Sequence, residues 1–191
     1  MGSPSETRAG VDAAPAGEGT AHESAWERSQ ASPALVRRII AEGHALGLHS
    51  YSHSRFFCAW LPAKVAADIV HGAEILADIT GRPAPTLFRP PVGLKNPIVA
   101  VAVQRLDLRT VTWSCRSRDT TLPPLAVMLQ RLRAGLVPRA ILLLHDGHEP
   151  DRPADRQRCL AALDDLLPRM HALGLVSRPL IRTADGIALE A

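Results

Sequence analysis

The sequence predicts an α/β fold built on a largely parallel sheet. Short apolar runs alternate with longer stretches of helical period, as in consecutive βαβ crossovers. Residues 141–144 are apolar at every position, which is typical of a strand covered on both faces. Polar residues follow several of the predicted strands, and in parallel α/β folds ligands bind at the carboxyl ends of the strands.

The predicted elements follow one another from residue 32. Residues 1–31 are rich in small and polar residues without apolar period, so we expect a disordered or non-homologous tail, with the domain spanning 32–191. A helix begins after Ser32, an expected N-cap, and ends at Gly47. A second helix runs from Pro62 to Gly81. Further helices are predicted over 97–106, 123–136 and 154–173, and strands over 86–89, 109–114, 140–144 and 176–181.

Composition narrows the class of protein. The chain has 191 residues, of which 46% are hydrophobic, and suits a single soluble domain. The net charge is +3, but the cations are scattered pairs interleaved with acids, so we do not expect a nucleic-acid partner. The cysteines number three and lack CxxC spacing, which argues against a disulfide framework and a thiolate zinc site.

The expected compartment rests on two further observations. No apolar run approaches the roughly 18 residues of a membrane span. The first residues lack the basic-then-apolar order of a signal peptide. As written, the chain is therefore expected to be cytoplasmic, without a membrane span.

Two histidines four residues apart, His49 and His53, follow the first predicted helix. Imidazole nitrogens suit Zn²⁺ and related divalent ions, and this spacing can bring both rings to one ion. Spacing alone leaves a second interpretation open, a pair of partly exposed polar side chains. The remaining strand ends bear on this choice.

Three further polar residues, Arg89, Asp119 and His145, lie at or just after predicted strand ends. From the residues alone, each has a simpler explanation. Arg89 could fix a loop before two prolines, Asp119 could cap a turn, and His145 could be an ordinary surface histidine. Trp113 could pack in the core or stack on a sugar ring.

Taken in order, these motifs resemble those of the polysaccharide deacetylases with the NodB-homology domain, a family of metal-dependent carbohydrate esterases. His49-Ser50-Tyr51-Ser52-His53 resembles the metal-binding motif, and Phe88-Arg89-Pro90-Pro91-Val92-Gly93 resembles the substrate-groove motif. Trp113 with Asp119 resembles the aspartate motif, and Leu143-Leu144-His145 resembles the closing motif. The resemblance covers about residues 32–181.

The resemblance implies a distorted (β/α) barrel that hydrolyses N-acetyl, or sometimes O-acetyl, groups on an acetylated carbohydrate or glycan precursor. It implies a divalent metal, foremost Zn²⁺, on His49 and His53. It further implies that His145 is a general acid held by Asp119, and that Arg89 pairs with a catalytic base. By the same resemblance, substrate binding falls to three residues: Pro91, Trp113 and Leu143.

One motif of the family has no counterpart in the sequence. The first motif, T-F-D-D-G, supplies the base and a third metal ligand, but no Asp-Asp pair precedes His49, and Asp164-Asp165 lies late in a predicted helix. We therefore expect an incomplete barrel without its first strands, an incomplete metal site, and strongly reduced or absent hydrolysis. Tail carboxylates could complete the site; the candidates are Asp12, Glu18, Glu23 and Glu27.

Three hypotheses follow. The chain could be a carbohydrate deacetylase, a non-catalytic deacetylase-like domain that binds glycan or protein, or a truncated gene product.

Overall fold

The computed structural model describes residues 32–93, 95–145 and 157–190. The predicted tail, 1–31, lies outside these ranges, together with its candidate carboxylates Asp12, Glu18, Glu23 and Glu27. The domain boundary at residue 32 therefore stays a prediction.

The described residues alternate helices with short strands. The helices are α1 (Pro33–Ala41), α2 (Pro62–Thr80), α3 (Pro97–Arg105), α4 (Leu125–Ala134) and α5 (Gln157–Ala172). The strands are β1 (Leu87–Phe88), β2 (Arg109–Thr110), β3 (Cys115–Arg116), β4 (Leu142–Leu143), β5 (Leu180–Thr183) and β6 (Gly186–Leu189).

The strands form separate pairs. β1 pairs with β2 and β3 pairs with β4, both in parallel, whereas β5 and β6 form an antiparallel hairpin. Leu48 adds a parallel bridge to Phe88 at the side of β1. The described residues thus form a mixed α/β structure without a closed barrel, which agrees with the predicted incomplete barrel.

The two predicted ends of α2 and the predicted start of α1 are confirmed, but the predicted end of α1 is corrected. Gly81 ends α2 in the left-handed conformation at φ 64°, and its N–H donates to the carbonyl of Ala77 at 2.8 Å. α1 ends at Ala41 and not at Gly47, because Gly43 already turns the chain with φ 85°. Ser32 occupies the N-cap position without a side-chain cap bond.

Two predicted strands also differ from the structure. The run 109–114 is not one strand, because the chain changes neighbours within it: Val111 donates to Phe88, whereas Ser114 donates to Ile141. At the C-terminus the strand occupies Leu180–Thr183, later than the predicted 176–181. It pairs with β6 across a tight turn before Gly186, and β6 was not predicted.

The helices pack against the two parallel strand pairs, and the buried residues form two apolar clusters. α2 packs against α1 and α3, and α4 packs against α5. The first cluster lies around β1 and β2 and contains Val36, Leu48, Phe57, Val65, Ile69, Ile75, Leu76, Ile79, Phe88, Val99, Ala102, Val103 and Leu108. The second lies beside β3 and β4 and contains Met128, Leu132, Cys159, Ala162 and Leu166.

No helix of the described part of the chain is long and apolar enough to cross a membrane.

Candidate active site

The histidine loop, residues 49–53, leaves the first sheet at a strand end. Leu48 donates its N–H to the carbonyl of Leu87 and accepts from the N–H of Arg89, both at 2.8 Å. His49 therefore follows a strand-like residue, Leu48, which was not predicted. The ring centroids of His49 and His53 lie 5.0 Å apart, so the loop brings the two imidazoles together.

Hydrogen bonds from backbone N–H groups to side-chain oxygens hold the histidine loop in a strained shape. Ser50 and His53 both have left-handed backbones, with φ 69° and 47°. The Ser50 side chain is buried and accepts from the N–H of His53 at 3.1 Å. From α2, the Asp68 carboxylate accepts from the N–H groups of Tyr51 at 2.8 Å and Ser52 at 3.2 Å. Asp68 was missed from the sequence, because its contact is with backbone and leaves no motif.

His49 has the properties of a metal ligand. Its Nδ1 lies 2.6 Å from the carbonyl oxygen of Arg89, which can only accept, so Nδ1 carries the proton and Nε2 keeps a lone pair. Burial lowers the pKa of His49 to about 4, although the hydrogen bond to Arg89 opposes this. This pKa already includes smaller contributions, in the same direction as burial, from the charges of His53, Arg89 and His145. His49 is therefore neutral at pH 7, the form that binds metal.

The Arg89 guanidinium is held by backbone. It donates to the carbonyls of Val111 at 3.4 Å and Thr112 at 3.3 Å, and its Cζ lies 5.9 Å from the Trp113 ring centroid. Burial lowers the pKa of Arg89. Within the described ranges, these carbonyls take the place of the carboxylate partner that the family resemblance implied for Arg89.

Trp113 lies against the loop that follows Arg89. Gly93 has φ 68°, and a Cβ added there would lie 2.0 Å from Cη2 of Trp113. Only glycine fits this position, because the indole ring occupies the space of a side chain. Pro91 is buried in the same loop, whereas Val92 is exposed with φ 57°. Trp113 therefore lies against the loop that contains Pro91, and the predicted contact of both residues with substrate stays a prediction.

The predicted partners Asp119 and His145 are hydrogen-bonded. Asp119 is 4% exposed, and its Oδ1 lies 2.9 Å from Nδ1 of His145. Its Oδ2 accepts from the backbone N–H of His145 at 2.7 Å. An ionised carboxylate can only accept, so Nδ1 of His145 carries a proton and its Nε2 is directed away from Asp119. The His145 side chain is 38% exposed, which leaves it accessible to a substrate.

Two residues that sequence reasoning missed also contact Asp119. The Ser117 hydroxyl lies 2.6 Å from Oδ1, and the Cys159 thiol lies 3.1 Å from Oδ2. Burial alone would raise the pKa of Asp119, but hydrogen bonds from His145, Ser117 and Cys159 outweigh it and hold this pKa well below its usual range. Asp119 is therefore a stable anion.

Leu143 lies in β4, two residues before His145, and is buried. Its carbonyl accepts from the N–H of Ser117 at 3.1 Å, so β4 supports the turn that carries Asp119. The predicted contact of Leu143 with an acetyl methyl group stays a prediction.

Comparison with known proteins decides the family. The family model described as polysaccharide deacetylase matches residues 18–111. The chitooligosaccharide deacetylase of Azorhizobium caulinodans is 30% identical over 154 residues, covering 78% of this chain and 73% of that protein. This chain belongs to the polysaccharide deacetylase family. Another relative, the peptidoglycan-N-acetylglucosamine deacetylase of Bacillus cereus, is 30% identical over 149 residues, covering 77% of this chain and 66% of that protein.

Two solved structures of the CE4 carbohydrate esterase family confirm the fold class. A family 4 carbohydrate esterase from Streptomyces lividans, in complex with acetate, superposes with a TM-score of 0.70 at 24% identity, covering 86% of this chain and 79% of that chain. A CE4 family pseudoenzyme from Bacillus anthracis superposes with a TM-score of 0.63 at 20% identity, covering 77% of this chain and 48% of that chain. The resemblance drawn from the sequence motifs is thus confirmed.

Two neighbouring histidines are the candidate ligands for the divalent metal expected in a polysaccharide deacetylase. His49 presents a neutral imidazole of fixed tautomer, and His53 lies beside it. Within the described ranges, no group of three or more His, Cys, Asp or Glu residues could hold an ion. The assignment of His49 and His53 as two ligands of a divalent ion stays a prediction, and any third His, Cys, Asp or Glu ligand lies outside those ranges.

Proposed function

We propose that this chain removes the acetyl group from an N-acetylated amino sugar within a glycan. The observation that carries the proposal is the Asp119–His145 pair, placed near enough to His49 for the charge of His145 to lower the pKa of His49. Four chain segments contribute to this neighbourhood, through His49, His53, Arg89 and the pair itself. A proton donor beside two imidazole ligands suits hydrolysis of an acetyl amide.

His145 would complete the reaction by giving a proton to the departing amine. In amide hydrolysis the oxygen of water adds to the acetyl carbon, the carbon–nitrogen bond breaks, and the nitrogen leaves with an added proton. Because Nδ1 of His145 is bound to Asp119, Nε2 is the nitrogen that can deliver this proton. The products are acetate and a free amine on the sugar.

His49 and His53 would hold a divalent ion, most suitably Zn²⁺. When bound, such an ion supplies Lewis-acid polarisation of the acetyl carbonyl and of water. The chain prepares His49 for this role through the carbonyl of Arg89, which fixes its tautomer, and through Asp68, which holds the loop.

The described residues supply a candidate general acid for the reaction, but they supply no carboxylate oriented as the general base. A carboxylate that accepts a proton from water would pair with Arg89, but in the described residues Arg89 donates to backbone carbonyls. We therefore expect slow hydrolysis unless a carboxylate outside the described ranges completes the site. Asp12, Glu18, Glu23 and Glu27 remain the candidates.

The substrate class follows from the relatives and the groove. The curated relatives are named as chitooligosaccharide and peptidoglycan-N-acetylglucosamine deacetylases, so glycans of N-acetylglucosamine are the first substrates to test. Trp113 offers a partly exposed ring beside Arg89 on which a pyranose could stack. Pro91 and Leu143 would border the acetyl group.

Acetate release from an N-acetylglucosamine oligomer, with Zn²⁺ supplied, tests the reaction. Replacing the acid by His145→Gln should lower the rate by roughly 100-fold, because a positioned acid contributes about that factor. His44→Gln, at an exposed residue outside the site, should leave the rate unchanged. Equal acetate release by the wild type and His145→Gln would contradict the proposed role of His145.

A second candidate function is glycan binding without hydrolysis. It is favoured by the hydrogen bonds of Arg89, which donates to backbone carbonyls and not to a carboxylate within the described ranges. No carboxylate base is therefore oriented there by Arg89. Binding of the oligomer without acetate release, with Zn²⁺ present, would select this function over hydrolysis.

A further inference from the structure

The Asp119 carboxylate sits in a symmetric set of donors. Each of its oxygens receives one hydrogen bond from His145: Oδ1 from the ring Nδ1 at 2.9 Å, and Oδ2 from the backbone N–H at 2.7 Å. Each oxygen also has a second neighbour from another residue. Ser117 lies 2.6 Å from Oδ1, and Cys159 lies 3.1 Å from Oδ2.

We propose that Ser117 and Cys159 are positioning residues of the Asp119–His145 pair. Each donates one hydrogen bond to one carboxylate oxygen, and together they fix the plane of the carboxylate that Nδ1 of His145 must meet. Both residues are buried and contact Asp119, so both act through its carboxylate. This inference rests on the proposed function, in which His145 is the acid.

Ser117 has two acceptors for a single hydroxyl proton, the Oδ1 of Asp119 at 2.6 Å and the carbonyl of Leu143 at 3.1 Å. The charged Oδ1 of Asp119, at the shorter distance, is the stronger acceptor, so the hydroxyl proton points to it. The hydroxyl oxygen in turn accepts from the N–H of Asp119 at 3.2 Å. Ser117 is fully buried, so water cannot replace it as a donor to Asp119.

Cys159 reaches Asp119 from a different element, α5, and also bridges to the second member of the pair. Its Sγ lies 3.1 Å from Oδ2 of Asp119 and 3.3 Å from the carbonyl oxygen of His145. A thiol is a weak donor, so Cys159 orients the carboxylate while leaving it a strong acceptor for His145. Arg158, the preceding residue, donates to the carbonyls of Leu122 and Pro123. The start of α5 is therefore tied to the turn that carries Asp119.

Nitrogen NMR of labelled histidine measures the positioning directly, because it reports which ring nitrogen of His145 carries the proton. Cys159→Val keeps most of the side-chain volume without a donor, and Ser117→Ala removes the donor at the other oxygen. Each should lower the ratio of the Nδ1–H to the Nε2–H form of neutral His145 by about fivefold, the effect of one hydrogen bond. Cys159→Ser keeps a donor and should restore the wild-type ratio.

Cys115→Ala is the matched control, because the Cys115 thiol also bonds a backbone carbonyl, that of Arg131 at 3.3 Å, but does not touch the pair. It should leave the tautomer of His145 unchanged. Circular dichroism verifies that each variant folds, and Ser117→Ala carries the test if Cys159→Val does not fold. A wild-type tautomer ratio in both Cys159→Val and Ser117→Ala would overturn the proposal.

Activity separates this inference from the proposed function. With an N-acetylglucosamine oligomer and Zn²⁺, kcat should fall about fivefold in Cys159→Val while KM stays unchanged. If the wild type releases no acetate but the tautomer ratio follows the donors as stated, the positioning role stands and the proposed hydrolysis fails. If acetate is released but the tautomer ratio of His145 is the same in Cys159→Val and Ser117→Ala as in the wild type, the positioning role fails.

Discussion

His49 and His145 show how one side chain is prepared for two tasks. In both, Nδ1 carries a proton, but His49 donates it to the neutral carbonyl of Arg89 and His145 to the charged carboxylate of Asp119. Burial keeps His49 neutral, as a ligand requires. The anion beside His145 suits a residue that carries a proton and releases it.

Protein stability should depend on pH through His49. Its pKa is about 4 in the folded chain against an ordinary value of 6.5, so between these values the unfolded chain binds more protons. The free energy of unfolding should therefore rise as the pH increases from about 4 to about 6.5. His49→Gln should flatten this rise.

Urea unfolding at successive pH values, in metal-free buffer, measures the effect. His44→Gln is the control, because His44 is exposed and should leave the rise intact. An identical pH dependence for His49→Gln and the wild type would show that His49 is not held neutral by the fold.

The sequence predicted the candidate site residues better than it predicted the residues that hold them in place. The candidates His49, His53, Asp119 and His145 match motifs of the family. Asp68 and Cys159 act across long separations in the chain, through backbone or a single carboxylate oxygen. No periodicity or spacing reports such contacts.

At the scale of elements, the strands are short and the loops that follow them are strained. Among the described residues, left-handed backbones occur at Ser50 and His53 in the histidine loop, at Val92 after Arg89, and at Arg118 beside Asp119. Such conformations cost free energy and persist where neighbours fix them. Asp68 does this for the histidine loop, and Trp113 lies against the loop that contains Val92.

Gly93→Ala should lower the free energy of unfolding by about 2 to 4 kcal/mol, because the new Cβ would overlap the Trp113 ring. Gly81→Ala is a matched control, since Gly81 also has positive φ but nothing within 4 Å of the new Cβ. That substitution should cost only about 1 kcal/mol. Denaturant unfolding compares them, and equal losses would show that Trp113 does not pack on Gly93.

Asp68→Ala should weaken the histidine loop. It removes the acceptor for the N–H groups of Tyr51 and Ser52, which should lower the free energy of unfolding by about 1 to 3 kcal/mol. Asp78→Ala makes the same substitution at an exposed position of the same helix and should be nearly neutral. If denaturant unfolding finds both variants equal, Asp68 does not support the loop.

Helices were predicted more closely than strands. The N-terminal prolines and the glycine after α2 mark local events, which sequence encodes directly. The run 109–114 is not one strand because its neighbour changes: its first part bonds to the segment of Phe88 and its last part to the segment of Ile141. A change of neighbour is a tertiary event, and the apolar pattern of one segment does not contain it.

At the scale of the whole molecule, the site joins two halves. His49 and Arg89 border the pair β1–β2 and its apolar cluster, whereas Asp119 and His145 follow β3 and β4, which have their own cluster. The segment 109–114 joins the two halves, because Val111 donates to Phe88 and Ser114 donates to Ile141. The alternation of helices and strands predicted the fold class, whereas the meeting of the polar residues at one site stays a prediction.

We propose that His49, His53 and His145 form one binding site for an acetylated glycan. The direct measurement is a titration of the histidine-labelled chain with an N-acetylglucosamine oligomer and Zn²⁺ present, followed by the imidazole resonances. We predict that the resonances of these three histidines move together with one affinity, while exposed His44 and His171 stay still. The proposal would be contradicted if the oligomer bound without shifting the His145 resonances, or if the oligomer did not bind.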